Sequence, residues 1–437
     1  MSKQLAFALI LLLSLIPLAL TTVRLARCFR MTQGRYRISE HFRRLVIMGR
    51  VAIAQSRIFR RPVTGLFHAL VFWGFCIILF GTVEMTIDGL SGRHGSLSGL
   101  GFIRTLFIAS ADIFAVLVSI SIIFFLVRRL FHRIKRFEGI EMKHNSHIDA
   151  NIALGLILIL MISLNGMNVF HVLQQDENGM AGMLALYPFS ARFAIHAGLQ
   201  QAASPACYEF FWWLHILLIL LFANILPYSK HFHVFMSVPN VYLSRLEPLG
   251  KLSHMDSITR EVNLMLNPET VAGQDMSTPS RFGVKDVEDI SWKNYLDSLA
   301  CTECGRCTSV CPASITGKML SPRKILMDVR ARMKERAPGL LTGREKAPGD
   351  HFLLRNFISE EELWACTTCN ACARECPVNI NHPTLIVDMR RYLVLEEGAA
   401  PGGIKTMFAC IENNGAPWQF SNEDRMLWAQ GLEINTN

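Results

Sequence analysis

The sequence predicts a mainly α protein in two parts, a five-helix transmembrane bundle followed by a cytoplasmic α-helical domain. Three observations predict it. Five apolar stretches fill the N-terminal half, arginine-rich segments alternate between them, and two cysteine runs of one pattern occupy the C-terminal half. With 437 residues, 51% of them hydrophobic, and positive mean hydropathy, the chain is too apolar and too long for one soluble domain.

The stretches at about 5–23, 63–86, 102–127, 150–172 and 209–230 are each long enough to cross a bilayer. The first resembles a signal peptide, but no small-residue cleavage site follows Leu20 before the arginines begin, so it reads as a retained helix. Eleven arginines lie from Arg24 to Arg61, and Arg128, Arg129, Arg133, Lys135, Arg136 and Lys143 follow the third stretch. The opposite connections hold little beyond Arg93 and Arg192, which predicts an inner-membrane protein with its N-terminus outside and its C-terminal domain in the cytoplasm. Topology thus accounts for the net charge of +9, and no nucleic-acid partner is expected. In the first basic segment Ile38, Phe42, Leu45, Val46 and Ile58 recur at roughly helical spacing, as in a helix lying on the membrane surface.

Cys301, Cys304, Cys307, Cys311 and Pro312 repeat as Cys366, Cys369, Cys372, Cys376 and Pro377. The form C-x2-C-x2-C-x3-C-P offers three thiolates to one iron–sulfur cube while the fourth ligates the other, as in two-cluster ferredoxins. The expected ligand sets are Cys301, Cys304, Cys307 and Cys376 for one [4Fe–4S] cluster, and Cys366, Cys369, Cys372 and Cys311 for the second. Four thiolates also suit zinc, although zinc sites usually use separated C-x2-C pairs. The remaining cysteines, Cys28, Cys76, Cys207 and Cys410, read as packed thiols, and nothing suggests a disulfide framework.

The layout is then a membrane domain over 1–235, a linker over 236–291 rich in proline and glycine, a two-[4Fe–4S] ferredoxin-like domain over 292–395, and a docking tail over 396–437. Between the cysteine runs, 322–336 reads as helix and 337–350 as loop.

Ionisable side chains inside membrane helices are costly and usually functional. His68, His171, His215, His231 and His233 are the candidates, and neutral imidazoles on facing helices suit haem iron. His215 and His233, 18 residues apart, fall on one face of a continuous helix. Depth matches His68 with His233 for an inner haem and His215 with His171 for an outer one, with His231 as the alternative inner ligand. Helix packing is the competing reading for His68, His171 and His215. Asp112, Glu84 and Asp88 are candidates for carrying protons from a quinol, and interfacial solvation explains the latter two equally well.

The segments WWLHILLILLFANILPYSKHFHVF at 212–235, FGVKDVEDISWKNYLDSLACTECGRCTSVCPA at 282–313 and ACTTCNACARECPV at 365–378 carry a resemblance. The chain resembles a nitrate reductase gamma subunit-like membrane domain joined to a dicluster module like that of heterodisulfide reductase and related iron–sulfur oxidoreductases. The resemblance implies one or two haem b groups exchanging electrons with a menaquinone-type quinone, in series with two [4Fe–4S] clusters. In the gamma subunit the second helix supplies two haem histidines; here Ile78 stands where the second belongs, which is why His171 enters the outer pair. Such proteins often continue into a Cys-Cys-Gly domain, absent from this sequence. The expected partners are therefore a separate Cys-Cys-Gly iron–sulfur subunit and, beyond it, an electron-transfer flavoprotein, docked near Trp418, Trp428 and Leu432. A membrane redox sensor or assembly protein using the same clusters is the alternative. A quinol-linked enzyme complete in itself is disfavoured, because no G-x-G-x-x-G fingerprint occurs.

Overall fold

The computed structural model describes residues 3–34, 36, 38–132, 134–142, 144–175, 180–198, 205–267, 281–341 and 351–432. Arg35, Arg37, Arg133 and Lys143 of the basic segments lie outside them, as does part of the linker.

Five helices are long and apolar enough to cross a membrane. The first is α1 (Lys3–Met31), whose leucine-rich surface stays largely uncovered. A short amphipathic helix, α2 (His41–Met48), and a π-turn at Gly49–Ile53 lie in the first basic segment. Arg44 of α2 is buried and donates to the Ser39, Tyr242 and Ser244 carbonyls, so α2 is pinned to the chain that follows the bundle. The second long helix, α3 (Pro62–Ser91), starts with proline at its first position, where the missing N–H costs nothing. It pairs with α4 (Phe102–Phe131), which pairs with α5 (His144–Leu173). Two short helices, α6 (Met180–Leu186) and α7 (Pro188–His196), cap that end of the bundle, and α8 (Pro205–Ile225) packs on α5.

α8 does not continue to His233. It stops at Ile225, and 3-10 turns at Leu226–Tyr228 and Lys230–Phe232 lead into α9 (His233–Tyr242). Pro227 cannot donate to a helical ladder, so the same-face register expected for His215 and His233 does not hold.

After α10 (Asp256–Leu266) comes the cysteine domain: α11 (Trp292–Ala300), the single turns α12 (Arg306–Ser309) and α13 (Pro312–Ile315), α14 (Pro322–Leu341), α15 (Glu360–Trp364), α16 (Ala371–Glu375) and α17 (His382–Leu395). α14 runs through Pro338 to Leu341, beyond the expected end at 336; residues 342–350 of the expected loop lie outside the described residues. Ser359 and Glu362 form a reciprocal capping box that starts α15 just before the second cysteine run. α18 (Gly402–Asn414) and a 3-10 segment at Asn422–Ala429 end the described chain.

The core of the cysteine domain includes Ile325, Val329, Leu353, Leu363 and Met389, and extends without a break to Cys28, Val51, Phe232 and Val241 of the bundle side. Burying one such aliphatic side chain contributes about 1.5–3 kcal/mol. The shared core therefore fixes the domain against the bundle end rather than leaving it on a tether.

Candidate functional site

Cys301, Cys304, Cys307 and Cys376 line one small cavity, with Gly305, Arg323, Val378, Ile380 and His382 also in its wall. Residues from both cysteine runs thus meet at one place. Backbone bends bring them there: Glu303 and Gly305 adopt φ of 53° and 69°, and Thr368 and Asn370 repeat this at 53° and 61°. Each loop thereby turns its three thiols to one side.

Burial raises three thiols of this quartet. Cys301 is pushed up to about 11, and Cys307 and Cys376 are raised by burial and by neighbouring thiols. An anionic quartet is costly here until a cation of matching size compensates it. Among the described residues no three His, Cys, Asp or Glu side chains close to the span of a single metal ion. Thiolates around zinc, at about 2.3 Å from the metal, would stand about 4 Å apart. Three evenly spaced cysteines of one run with the fourth from the other are the donor set of a cube.

Cys366, Cys369, Cys372 and Cys311 form the second group, within electrostatic reach of one another. Burial, then Cys366, pushes Cys372 up to about 12. Cys369 is exposed, so this group opens to solvent. Arg390 donates to the Leu363 and Cys366 carbonyls and stacks over Trp364.

The first group faces the bundle. Arg57 donates to the Cys376 carbonyl at 2.9 Å, and Arg306 donates to the Arg57 carbonyl at 2.9 Å. A Cβ at Gly305 would stand 2.4 Å from the Arg136 carbonyl, so only glycine permits this approach. Arg323, buried, donates to Glu141 Oε1 at 2.8 Å and to the Arg136 carbonyl at 2.7 Å. Burial pushes the Glu141 carboxyl up, but the Ser321 hydrogen bond and the Arg323 charge outweigh it and hold the group below its usual range. Arg136 keeps Nε and Nη1 buried without hydrogen-bond partners among the described residues. Burial and then Arg61 push its guanidinium down to about 10, against the pull of Cys304. Sequence reasoning did not single out Arg57, Arg136 or His382, because a basic loop looks alike whether its arginines face lipid headgroups or thiols.

Behind these arginines lie the histidines. His68 is in electrostatic reach of both His233 and Arg306. Phe75 of α3 meets Phe235 of α9 edge-on at 6.3 Å, which brings the same two segments together. His68 Nδ1 lies 3.0 Å from Gln55 Oε1, and His233 Nδ1 donates to the Lys230 carbonyl at 3.0 Å. Both contacts place the proton on Nδ1 and leave Nε2 free for a metal. Gln55 reaches His68 from a turn at φ of 51°, a contact that no periodicity announces. His231 is 6.0 Å from His233, centroid to centroid, with Nδ1 3.2 Å from Ser229 Oγ.

The outer pair is not brought together. His215 is buried on the Leu160 carbonyl at 3.1 Å and beside Ser163 Oγ at 2.9 Å. His171 lies eight residues further along α5, about 12 Å at helical rise. It packs instead on Tyr187 and Tyr208. Two axial ligands of one haem must share a depth, and these do not.

Asp112 is fully occupied. It accepts from Asn168 Nδ2, the Phe189 and Ser190 amides and Ser190 Oγ, anchoring the start of α7. Glu84 pairs with Arg104 at 2.6 Å, and Asp88 accepts from the Gly95 and Ser96 amides at 2.8 Å. All three carboxylates hold the bundle end remote from the cysteine domain.

Comparison with known proteins gives a 4Fe-4S dicluster domain over residues 300–380. The chain is 30% identical over 425 residues to the probable iron-sulfur-binding oxidoreductase FadF of Bacillus subtilis, covering 87% of this chain and 55% of the relative. It is 29% identical over 402 residues to the EtfAB:quinone oxidoreductase of Syntrophomonas wolfei, covering 86% and 52%. It is also 30% identical over 150 residues to one component of the dihydromethanophenazine:CoB–CoM heterodisulfide reductase of Methanosarcina acetivorans, covering 33% and 35%. The chain spans about half the length of the first two relatives. No solved structure matches it. The molecule is thus mainly α, five long apolar helices followed by a 4Fe–4S dicluster domain, and is related to iron–sulfur oxidoreductases.

Proposed function

We propose that the chain is a membrane-bound electron-transfer subunit linking a quinone pool to a soluble cytoplasmic oxidoreductase. The observation that carries this reading is the seating of the Cys301, Cys304, Cys307 and Cys376 cavity directly on the bundle, with Arg57, Gly305 and Arg306 in the contact. A detached sensor module would have no need of that approach. Bound in series, a haem b and two [4Fe–4S] clusters supply one-electron carriage between quinone and partner.

The chain's own residues do the rest. His68 and His233 hold the haem through Nε2, oriented by Gln55 and the Lys230 carbonyl. The two crossed cysteine quartets hold the clusters, one buried against the bundle and one opening outward at Cys369. The basic segments keep this end of the bundle on the cytoplasmic side. Trp418 and Trp428, 58% and 73% exposed, offer apolar anchors beyond the second quartet. There we place a Cys-Cys-Gly iron–sulfur subunit or an electron-transfer flavoprotein, the latter in keeping with the similarity to an EtfAB:quinone oxidoreductase.

The test is a redox-difference optical spectrum of isolated membranes with a menaquinol analogue added. A low-spin b-type haem signal that disappears in His68→Ala and His233→Ala, with cluster iron retained, is expected. A well-folded wild type without haem by pyridine haemochrome assay removes the histidines from the path.

A further inference from the structure

A cavity of about 140 Å³ lies where the bundle meets the dicluster domain, walled by α1, the turns after α8, α11 and α14. Its charge is one-sided. Arg24, Arg330 and Lys334 line it, and no carboxylate does. Arg330 is paired with Glu303 behind the wall, while Arg24 and Lys334 have no ion-pair partner among the described residues. Burial and the neighbouring Arg330 push the Lys334 ammonium down from its ordinary value, and the more distant Asp149 and Glu303 only partly offset them.

The rest of the lining is amphipathic. Leu25, Phe232, Leu299 and Met333 supply apolar walls, and Thr21 Oγ1 and Tyr228 OH stand 2.9 Å apart at the rim. Tyr228 is the last residue of the fifth apolar span, so the rim lies at headgroup level. Leu20 and Val23 of α1, adjacent in sequence to the lining residues Thr21 and Arg24, are exposed, as a lipid-facing surface requires. A free phosphate would not need the apolar walls. A neutral quinone would not need three cations.

We propose that this cavity binds the phosphodiester headgroup of an anionic phospholipid, with Arg24, Arg330 and Lys334 as its charge contacts and the acyl chains lying on α1. Basic pockets on the cytoplasmic side of membrane helices suit such headgroups. A lipid held there bridges α1 and α14, and so couples the bilayer to the packing of the dicluster domain.

The experiment takes the full chain with its cofactors, delipidated in neutral detergent. Binding is read by native mass spectrometry for short-chain phosphatidylglycerol, short-chain phosphatidylcholine, inorganic phosphate and a short-chain menaquinone analogue. Phosphatidylglycerol should bind on the order of tenfold tighter than phosphatidylcholine, and the Arg24→Gln/Lys334→Gln double variant should lose that preference. Iron content should stay unchanged in the variant, and Arg24→Lys should keep the preference, which separates charge from folding; if the double variant loses iron, Arg24→Gln alone is read. Equal affinity for the two lipids, inorganic phosphate binding as tightly as phosphatidylglycerol, displacement by the menaquinone analogue, or a preference that survives removal of the charges would each overturn the proposal.

Discussion

In the loop from Cys301 to Cys307 the residue after the second cysteine is Gly305, and in the loop from Cys366 to Cys372 it is Asn370; both turn through positive φ. Asn tolerates that conformation, so the bend alone does not demand glycine. What demands it is the neighbour: the Arg136 carbonyl fills the space that a side chain at Gly305 would take. One loop is pressed on the bundle among arginines, while the other leaves Cys369 in solvent. Two copies of one motif have thus been given different tasks by their surroundings, and a motif search sees only what they share.

The largest test of that contrast is ligand removal. Cys376→Ser should abolish the bundle-facing cluster and Cys311→Ser the outward one, each taking iron from about eight to about four per chain. Electron paramagnetic resonance identifies which signal is lost; a Cys376→Ser protein that keeps the bundle-facing signal would break the crossed assignment. Next comes the glycine. Gly305→Ala should cost at least about 2 kcal/mol, from the left-handed backbone and from the overlap with Arg136, whereas Asn370→Gly should stay within about 0.5 kcal/mol. Thermal unfolding of the two variants side by side decides whether the contact is as tight as described.

A smaller effect separates the two sites electrostatically. Arg136→Gln removes a partly desolvated cation near Cys304, and should lower the midpoint potential of the bundle-facing cluster by on the order of 50 mV while leaving the outward one in place. A redox titration that moves both clusters equally, or neither, removes the asymmetry. The smallest concerns Glu141. Its folded value is depressed, so the Glu141–Arg323 contribution is complete above the ordinary carboxylate range and is lost as pH falls through the folded value. Glu141→Gln should therefore flatten the acid side of the stability profile below about pH 4.5, the ordinary value of that carboxyl, and leave neutral pH behaviour to the remaining contacts.

Much of this was legible in the sequence. Spans and cysteine spacing carry strong local signals, and the five long helices and the dicluster domain follow them. The meeting of Cys376 with Cys301, Cys304 and Cys307 was anticipated from the gap before the fourth cysteine. The histidines were harder. Depth along a span placed His68 beside His233, but the helical register linking His215 to His233 assumed a helix that Pro227 ends, and the pairing of His215 with His171 ignored eight residues of α5. Asp112 was read as a candidate proton carrier because a carboxylate in a span is conspicuous; its four donors come from residues 168–190, which sequence proximity does not reveal.

Cys376 leaves the ribosome well after Cys301, Cys304 and Cys307. A growing chain therefore exposes three thiols of the bundle-facing site with nothing to close them, and a bundle surface around Arg57 and Arg136 with nothing to cover it. Metal delivered at that stage meets an unfinished nest. With the crossed ligation proposed above, the bundle-facing site is complete only once the second loop has folded back against the first, on a domain already seated on the membrane helices.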